Sequence, residues 1–353
     1  MNFRALKALW KANVPPMVWL STPLVVGAII LGLDGRPPNW AAIGLFLAAS
    51  TILMGILEFA NVYTDREEDR LYFPGNPVLT GEVDAGTARR ALIAENVLAG
   101  VLLIALVAVT REWAAAVTLL ASWAVNLAYS LPPLRLKETV AVPFIYGLLY
   151  VLPTLAAWLL VEPSLLASDG LILGYCLVLF LFSFGNGITV KLRKTYHAFH
   201  SGLIEVAQGG SVYDLKTVGL GLKVRHAVAL EAIAMLGAFL PVPVFWRMGM
   251  FDSPMSIALL AAALPTAAFA VFTRLRDPVG SGPRCVVYVT MASVDIALVL
   301  FGVALSSLVH WGFAVLACLA YLALFVPLFA AIHPVGPRTV AAPWAEMEKW
   351  SGQ

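Results

Sequence analysis

The residues best placed to do chemistry stand at the end of the second long apolar run, in Glu58-Phe59-Ala60-Asn61-Val62-Tyr63-Thr64-Asp65-Arg66-Glu67-Glu68-Asp69-Arg70. Asn61, Asp65 and Asp69 recur every four residues, which on a helix puts three oxygen-bearing side chains on one face. Like charges at that spacing repel, so the arrangement calls for a compensating cation. Magnesium suits it, because it is held by one or two carboxylates and completes its shell with water and phosphate oxygens. The same residues also read as a solvated helix end with Arg66 and Arg70 as neutralising partners, and spacing alone does not choose. The stretch that follows, Pro74-Gly75-Asn76-Pro77-Val78-Leu79-Thr80-Gly81-Glu82, is rigid and turn-rich and can fold back as a lid.

A second constellation is Tyr129-Ser130-Leu131-Pro132-Pro133-Leu134-Arg135-Leu136-Lys137, with two cations beside a fixed proline corner. Arg135 can fork onto phosphate oxygens and Lys137 can act on them as a point charge. The plainer reading is a pair of anchors of the kind that short cytoplasmic loops carry. A third stretch, Lys191 to Arg225, holds Lys191, Arg193, Lys194, His197, His200, Glu205 and Asp214. The His197 and His200 spacing fits neither a helical metal pair nor a facial triad, so these two are read as interfacial surface.

The elements that position these groups follow from composition. Of the 353 residues 60% are hydrophobic and 12% charged, against about 45–50% and about 25% in a soluble domain. Lipid is therefore the solvent for most of the chain. Runs such as Ala114 to Ala128 are apolar all round, which reads as spanning helix and not as the alternating strands of a membrane barrel. A net charge of +2 argues against nucleic acid as a partner. Cys176, Cys285 and Cys318 lack the paired spacing of a zinc site or a disulfide framework. Arg4, Lys7 and Lys11 precede an apolar run without a cleavage site, which predicts a retained first helix.

Spans are predicted near 15–33, 39–63, 88–110, 112–131, 139–161, 169–190, 225–246, 255–273, 286–308 and 311–333. With the N-terminus cytoplasmic, every Lys and Arg except Arg36, Arg111 and Arg247 falls on the inner side, as the positive-inside rule requires. The long connections Thr64 to Thr87 and Lys191 to Arg225 share that side and can build one site. The expected fold is all-α, a polytopic bundle of nine to ten transmembrane helices in one domain, 1–353, with its active site at the cytoplasmic side. Polar groups at membrane depth are costly and usually functional. Among Glu58, Glu95, Asn96, Asn126, Asn186 and Asp295, Glu58 and Asn186 lie near cytoplasmic helix ends and are the site candidates.

On these motifs the chain resembles the UbiA-type intramembrane prenyltransferases. Asn61, Asp65 and Asp69 match their Asn-x-x-x-Asp-x-x-x-Asp motif, and Tyr129 to Lys137 matches their Tyr-x-x-Pro-Pro-x-Arg-x-Lys corner. The resemblance implies an enzyme in which Asp65 and Asp69 hold Mg2+ bridged to an isoprenyl diphosphate. Asn61 would assist, and Tyr129 and Lys137 would complete the catalytic set. Arg66, Arg135, Lys191, Lys194, Asn186, Glu58 and Tyr63 would bind substrate, in a lipid bilayer expected to be a bacterial inner membrane.

The chain departs from the family twice. Asn76 stands where many relatives carry Arg, so a diphosphate contact is in doubt. In the second Asp-rich motif, Val206 and Gly210 fill the acidic places, although the tail survives as Asp214-Leu215-Lys216-Thr217-Val218. Either Glu205 or Asp214 replaces the lost aspartates as a metal ligand, or Lys191, Arg193 and Lys194 hold the diphosphate directly, and the second reading is favoured. The expected reaction is ionisation of the diphosphate and prenyl transfer to an aromatic acceptor. Phe59, Tyr63, Trp123, Tyr146 and Tyr150 are the candidates to stabilise the cation. The alternative is a membrane terpene cyclase that needs no acceptor. A transporter would instead spread its polar groups to the midplane.

Overall fold

The structure, a computed structural model, describes residues 16–65, 76–166, 171–200, 224–247 and 254–276. Regular structure among them is entirely helical: α1 (Pro16–Leu33), α2 (Trp40–Thr64), α3 (Ala85–Thr110), α4 (Trp113–Ser130), a 3-10 turn (Leu136–Glu138), α5 (Val142–Val161), α6 (Leu171–His200), α7 (Val224–Gly237), α8 (Val242–Arg247) and α9 (Pro254–Arg276). Among the described residues, 7 segments are long and apolar enough to cross a membrane: α2 to α5, the first part of α6, α7 with α8, and α9. The chain is an integral membrane protein. The expected spans 286–308 and 311–333 lie outside the described residues, as does Asp295.

Local signals set the helix ends. Asn39 accepts from the Ala42 N–H at 3.2 Å to start α2, and Asp84 accepts from the Thr87 N–H at 2.8 Å to start α3. Those Thr87 bonds hold the Asp84 carboxyl below the usual carboxylate range. Arg111 ends α3 in the left-handed conformation at φ 59°. From there outward faces such as Ile93, Val97, Val101 and Ile104 of α3 are left to lipid.

Helix α5 is the centre of the bundle, with α1, α4 and α6 packed on it; α2 joins α3 and α4, while α7 links α6 to α9. Small residues allow these approaches, as expected where lipid supplies no hydrophobic drive between helices. A Cβ on Gly147 would stand 2.6 Å from the Phe180 ring, and one on Gly187 would stand 2.7 Å from Tyr146 Cβ and 3.0 Å from Pro143 Cα. Between α2 and α4 the register is set by a hydrogen bond from Asn126 Nδ2 to Leu53 O (2.8 Å), and one turn on Ser130 Oγ lies 3.3 Å from Leu57 O. Both contacts have the same sequence offset, so α2 and α4 run parallel. At the far end of the bundle Arg36 pairs with Glu162 at 3.0 Å, joining the ends of α1 and α5.

Two elements differ from expectation. Helix α6 does not end at 190 but continues to His200. No Gly or Pro interrupts Lys191 to His200, and residues such as Lys, Leu, Arg and Ala prolong a helix. Lys191, Arg193, Lys194, His197 and His200 thus stand on a helix and not in a loop. The span predicted at 225–246 breaks after Gly237 and resumes at Val242. Pro241 has no N–H to give the Gly237 carbonyl, and its ring occupies the carbonyl's space.

The close α5–α6 approach makes a prediction. Gly187→Ala should lower stability by about 1–3 kcal/mol, because the new methyl meets backbone-anchored atoms. Gly44→Ala, with nothing within 4 Å of its Cβ, should be neutral or gain up to about 1 kcal/mol. Thermal melts of the two variants in one detergent check the contrast.

Candidate functional site

Where α2 runs out, its last turns present Glu58, Asn61, Thr64 and Asp65, and the α4–α5 corner brings Lys137 and Arg135 onto them. The Lys137 ammonium bonds Asp65 Oδ1, Asn61 Oδ1 at 3.1 Å and Thr64 Oγ1 at 3.3 Å. Arg135 Nη2 meets the same Asp65 oxygen at 3.2 Å. Ser130 Oγ donates to Asn61 Oδ1 at 2.8 Å, so the asparagine oxygen is fixed from two sides. The side chain of Lys137 is 3% exposed and that of Arg135 27%: one cation is built into the structure while the other faces outward in part.

The backbone of the corner explains how two side chains two residues apart reach one carboxylate. Arg135 sits at φ 36°, ψ 53°, a left-handed conformation that costs a non-glycine residue about 1–3 kcal/mol. The turn this makes leads directly into the 3-10 turn that carries Lys137.

Charges from Lys137 and Asp65 act on Glu58, and those of Glu58 and Asp65 act on Tyr129, so all four lie together at this end. Tyr129 stacks edge-on against Tyr146 at 6.2 Å, and Tyr146 lies 6.2 Å from Tyr150 one turn farther along α5. An aromatic column therefore leads from the charged cluster into the bundle. Tyr63, two residues from Asn61 and so on another face of α2, packs against the apolar core. Phe59 is fully buried core, and Trp123 donates to Asn96 at 2.8 Å between α3 and α4, away from the cluster.

Asn76, expected to be a missing phosphate contact, has a different task. It is fully buried; its Nδ2 donates to Val62 O at 2.8 Å, and its Oδ1 accepts from the Val78 and Leu79 N–H groups at 2.9 and 3.3 Å. The amide thus caps a carbonyl in the last turn of α2 and ties the 76–83 turn back onto it. Asn186 lies 2% exposed on α6, beside the Gly187 that touches Tyr146. Arg66, Asp69, Glu205, Asp214, Val206 and Gly210 lie outside the described residues. So do the side chains of Lys191 and Lys194.

For a metal, this end of α2 offers the Asp65 and Glu58 carboxylates and the Asn61 amide, an all-oxygen set that suits a hard cation such as Mg2+. Among the described residues no group of three acidic, histidine or cysteine side chains comes together. The compensating charge that the sequence asked for is supplied at Asp65 by Lys137 and Arg135.

Several polar groups escaped the sequence reading. Ser130 and Thr64 are too common to stand out, and only their contacts with Asn61 and Lys137 reveal them. Glu231 and Arg274 form a buried pair between α7 and α9, Nε to Oε2 3.8 Å. A signal for Glu231 was present, since it is an acid inside an apolar span.

No family model matches the chain, and no curated protein sequence matches it. A solved structure of a digeranylgeranylglyceryl phosphate synthase, described in relation to membranes, is similar over 86% of this chain and 99% of its own, with a TM-score of 0.53 and 16% identity. The likeness shows the fold: the chain shares the all-helical membrane-bundle architecture of that synthase.

Because the Asn76 bonds are buried, Asn76→Ala should cost about 1–3 kcal/mol and release the turn. A lower melting temperature together with new proteolytic cleavage between 76 and 84 is the expected result.

Proposed function

We propose that the chain is an intramembrane prenyltransferase that ionises an isoprenyl diphosphate at the Asp65–Lys137 end of the bundle and passes the prenyl group to an acceptor. The observation that carries this reading is the convergence of Lys137 and Arg135 on Asp65, at the mouth of an aromatic column inside lipid-spanning helices. A prenyl diphosphate has the matching shape, with an anionic head and a long apolar tail. The prenyltransferase fold supports the same reading.

Arg135 holds the diphosphate oxygens as a fork, while Lys137, bonded to Asp65, Asn61 and Thr64, keeps the cluster in place and adds a fixed positive charge beside them. Breaking the carbon–oxygen bond sends its electron pair onto the pyrophosphate, and both cations stabilise the charge that develops there. Tyr129 and Tyr146 present aromatic rings to the allylic cation left behind. Mg2+, held by Asp65 and Asp69 with Asn61 beside them, would supply further neutralisation of the leaving group. The apolar helices around the column keep water from quenching the cation. The acceptor then attacks the cationic carbon and loses a proton. The site lies at the cytoplasmic side, with the N-terminus also cytoplasmic, if the inner-side excess of Lys and Arg governs orientation.

The test follows pyrophosphate release by the purified protein with magnesium and geranylgeranyl diphosphate. Arg135→Met should lower turnover by about 10²–10³-fold with little change in melting temperature, whereas Asp65→Asn should lose turnover and lower the melting temperature together, because it leaves the nearly buried Lys137 without its carboxylate. Lys137→Met should lose turnover and stability together, since it strips a buried carboxylate of its nearest cation. Full activity in Asp65→Asn and Arg135→Met would overturn the proposal. Organic products made without any acceptor would redirect it to cyclisation.

A further inference from the structure

The amide of Asn61 is held at its oxygen and open at its nitrogen. Oδ1 accepts from Lys137 Nζ at 3.1 Å and from Ser130 Oγ at 2.8 Å. A carbonyl oxygen has two lone pairs, and both are taken. The orientation is fixed by the chemistry of the partners, because an ammonium can only donate and so selects the oxygen over the nitrogen. Neither partner is loose: Ser130 is fully buried, and Lys137 is 2% exposed with further bonds to Asp65 and Thr64.

The other side of the same planar group is different. Asn61 is half-buried, and its Nδ2 meets no acceptor among the described residues. Asn76, Asn96 and Asn126, by contrast, spend their Nδ2 on the carbonyls of Val62, Leu92 and Leu53. Two N–H donors of Asn61 are thus turned away from Ser130 and Lys137 at the end of α2. Asp65 follows four residues later on the same helix face, where Arg135 meets it at 3.2 Å. The oxygen of Asn61 is of a type that suits a hard cation, but a divalent ion there would have to displace a donor. It would also stand beside the Lys137 ammonium, and like charges repel.

We infer that Asn61 binds the diphosphate itself, as a neutral N–H donor to a phosphate oxygen and not as a ligand of the metal, with Ser130 as the positioning residue that holds the amide in this orientation. This deepens the proposed prenyltransferase reading and rests on it. Hydrogen bonds to an ionised oxygen are the strong ones, so an uncommitted amide at the end of the bundle where Arg135 lies is suited to an anionic head. It adds a directed donor there without adding charge.

The test is equilibrium binding of geranylgeranyl diphosphate to the full chain in lipid nanodiscs, in EDTA and in magnesium. Two variants share only the loss of the N–H donors. Asn61→Asp keeps an acceptor for Lys137 and Ser130 but adds charge, whereas Asn61→Leu adds no charge but gives up the acceptor. The wild type should bind without metal, and each variant should bind at least about tenfold more weakly in EDTA. Asn61→Asp should keep its melting temperature, and magnesium should not restore its affinity. Ser130→Ala should weaken metal-free binding in the wild type and have no further effect on Asn61→Leu, since a positioning residue acts only through the group it positions. Wild-type affinity retained in EDTA by either Asn61 variant would overturn the inference, as would wild-type binding that vanishes in EDTA. An Asn61→Asp protein that binds more tightly with magnesium would overturn it too, because that is the behaviour of a metal ligand. Additive effects of Ser130→Ala and Asn61→Leu would overturn the role of Ser130. No binding by the wild type in either condition would instead overturn the prenyltransferase reading.

Discussion

The ammonium of Lys137 is the fixed point around which this end of the bundle is built. A nearly buried cation in a membrane protein survives only when it is neutralised and fully hydrogen-bonded. Here Asp65, Asn61 and Thr64 do both, and all three belong to the last turns of one helix. That requirement explains the strained Arg135 backbone, since the corner must double back to bring Lys137 under α2. It also explains Ser130, which steadies the Asn61 oxygen that Lys137 uses.

The same pairing gives the site its chemical character. Among the described residues, Asp65 Oδ1 is met by two cations, Lys137 and Arg135. A dianionic head group could take over Arg135, which is partly exposed, without disturbing Lys137, which is not. The division between a nearly buried and a partly exposed cation is a consequence of where the corner meets the helix. Asn76 adds to it from the other side, closing the carbonyl end of α2 so that the chain can turn back without an orphaned acceptor.

Hydropathy made most of the bundle legible, because spanning helices must be apolar over their whole length and lipid tolerates no other regular element here. The predicted α2, α3, α4, α5 and α9 agree with the described helices to within about three residues, inside the few-residue uncertainty of such boundaries. Where the reading failed, competing rules were at work. Helix α6 continues past its apolar part because helix formation outside the membrane depends on breakers, and none occurs before His200. The α7–α8 break was written in Gly237 and Pro241 but hidden by uninterrupted hydrophobicity. The candidate site was legible in its charged members, Asp65, Arg135 and Lys137, since charge is rare in such a chain. Ser130 and Asn76 were not, because their roles depend on which helix lies opposite, and one sequence does not contain that.

Along the α2–α4 contact, Asn126 donates to a backbone carbonyl of the partner helix and Ser130 to the Asn61 side chain, which fixes register. On α6, Gly185 and Gly187 do the packing that side chains do elsewhere, so Ser183 and Asn186 are spared that duty. A helix that makes its contacts through glycines can point its polar groups into the interior without pulling its neighbours together.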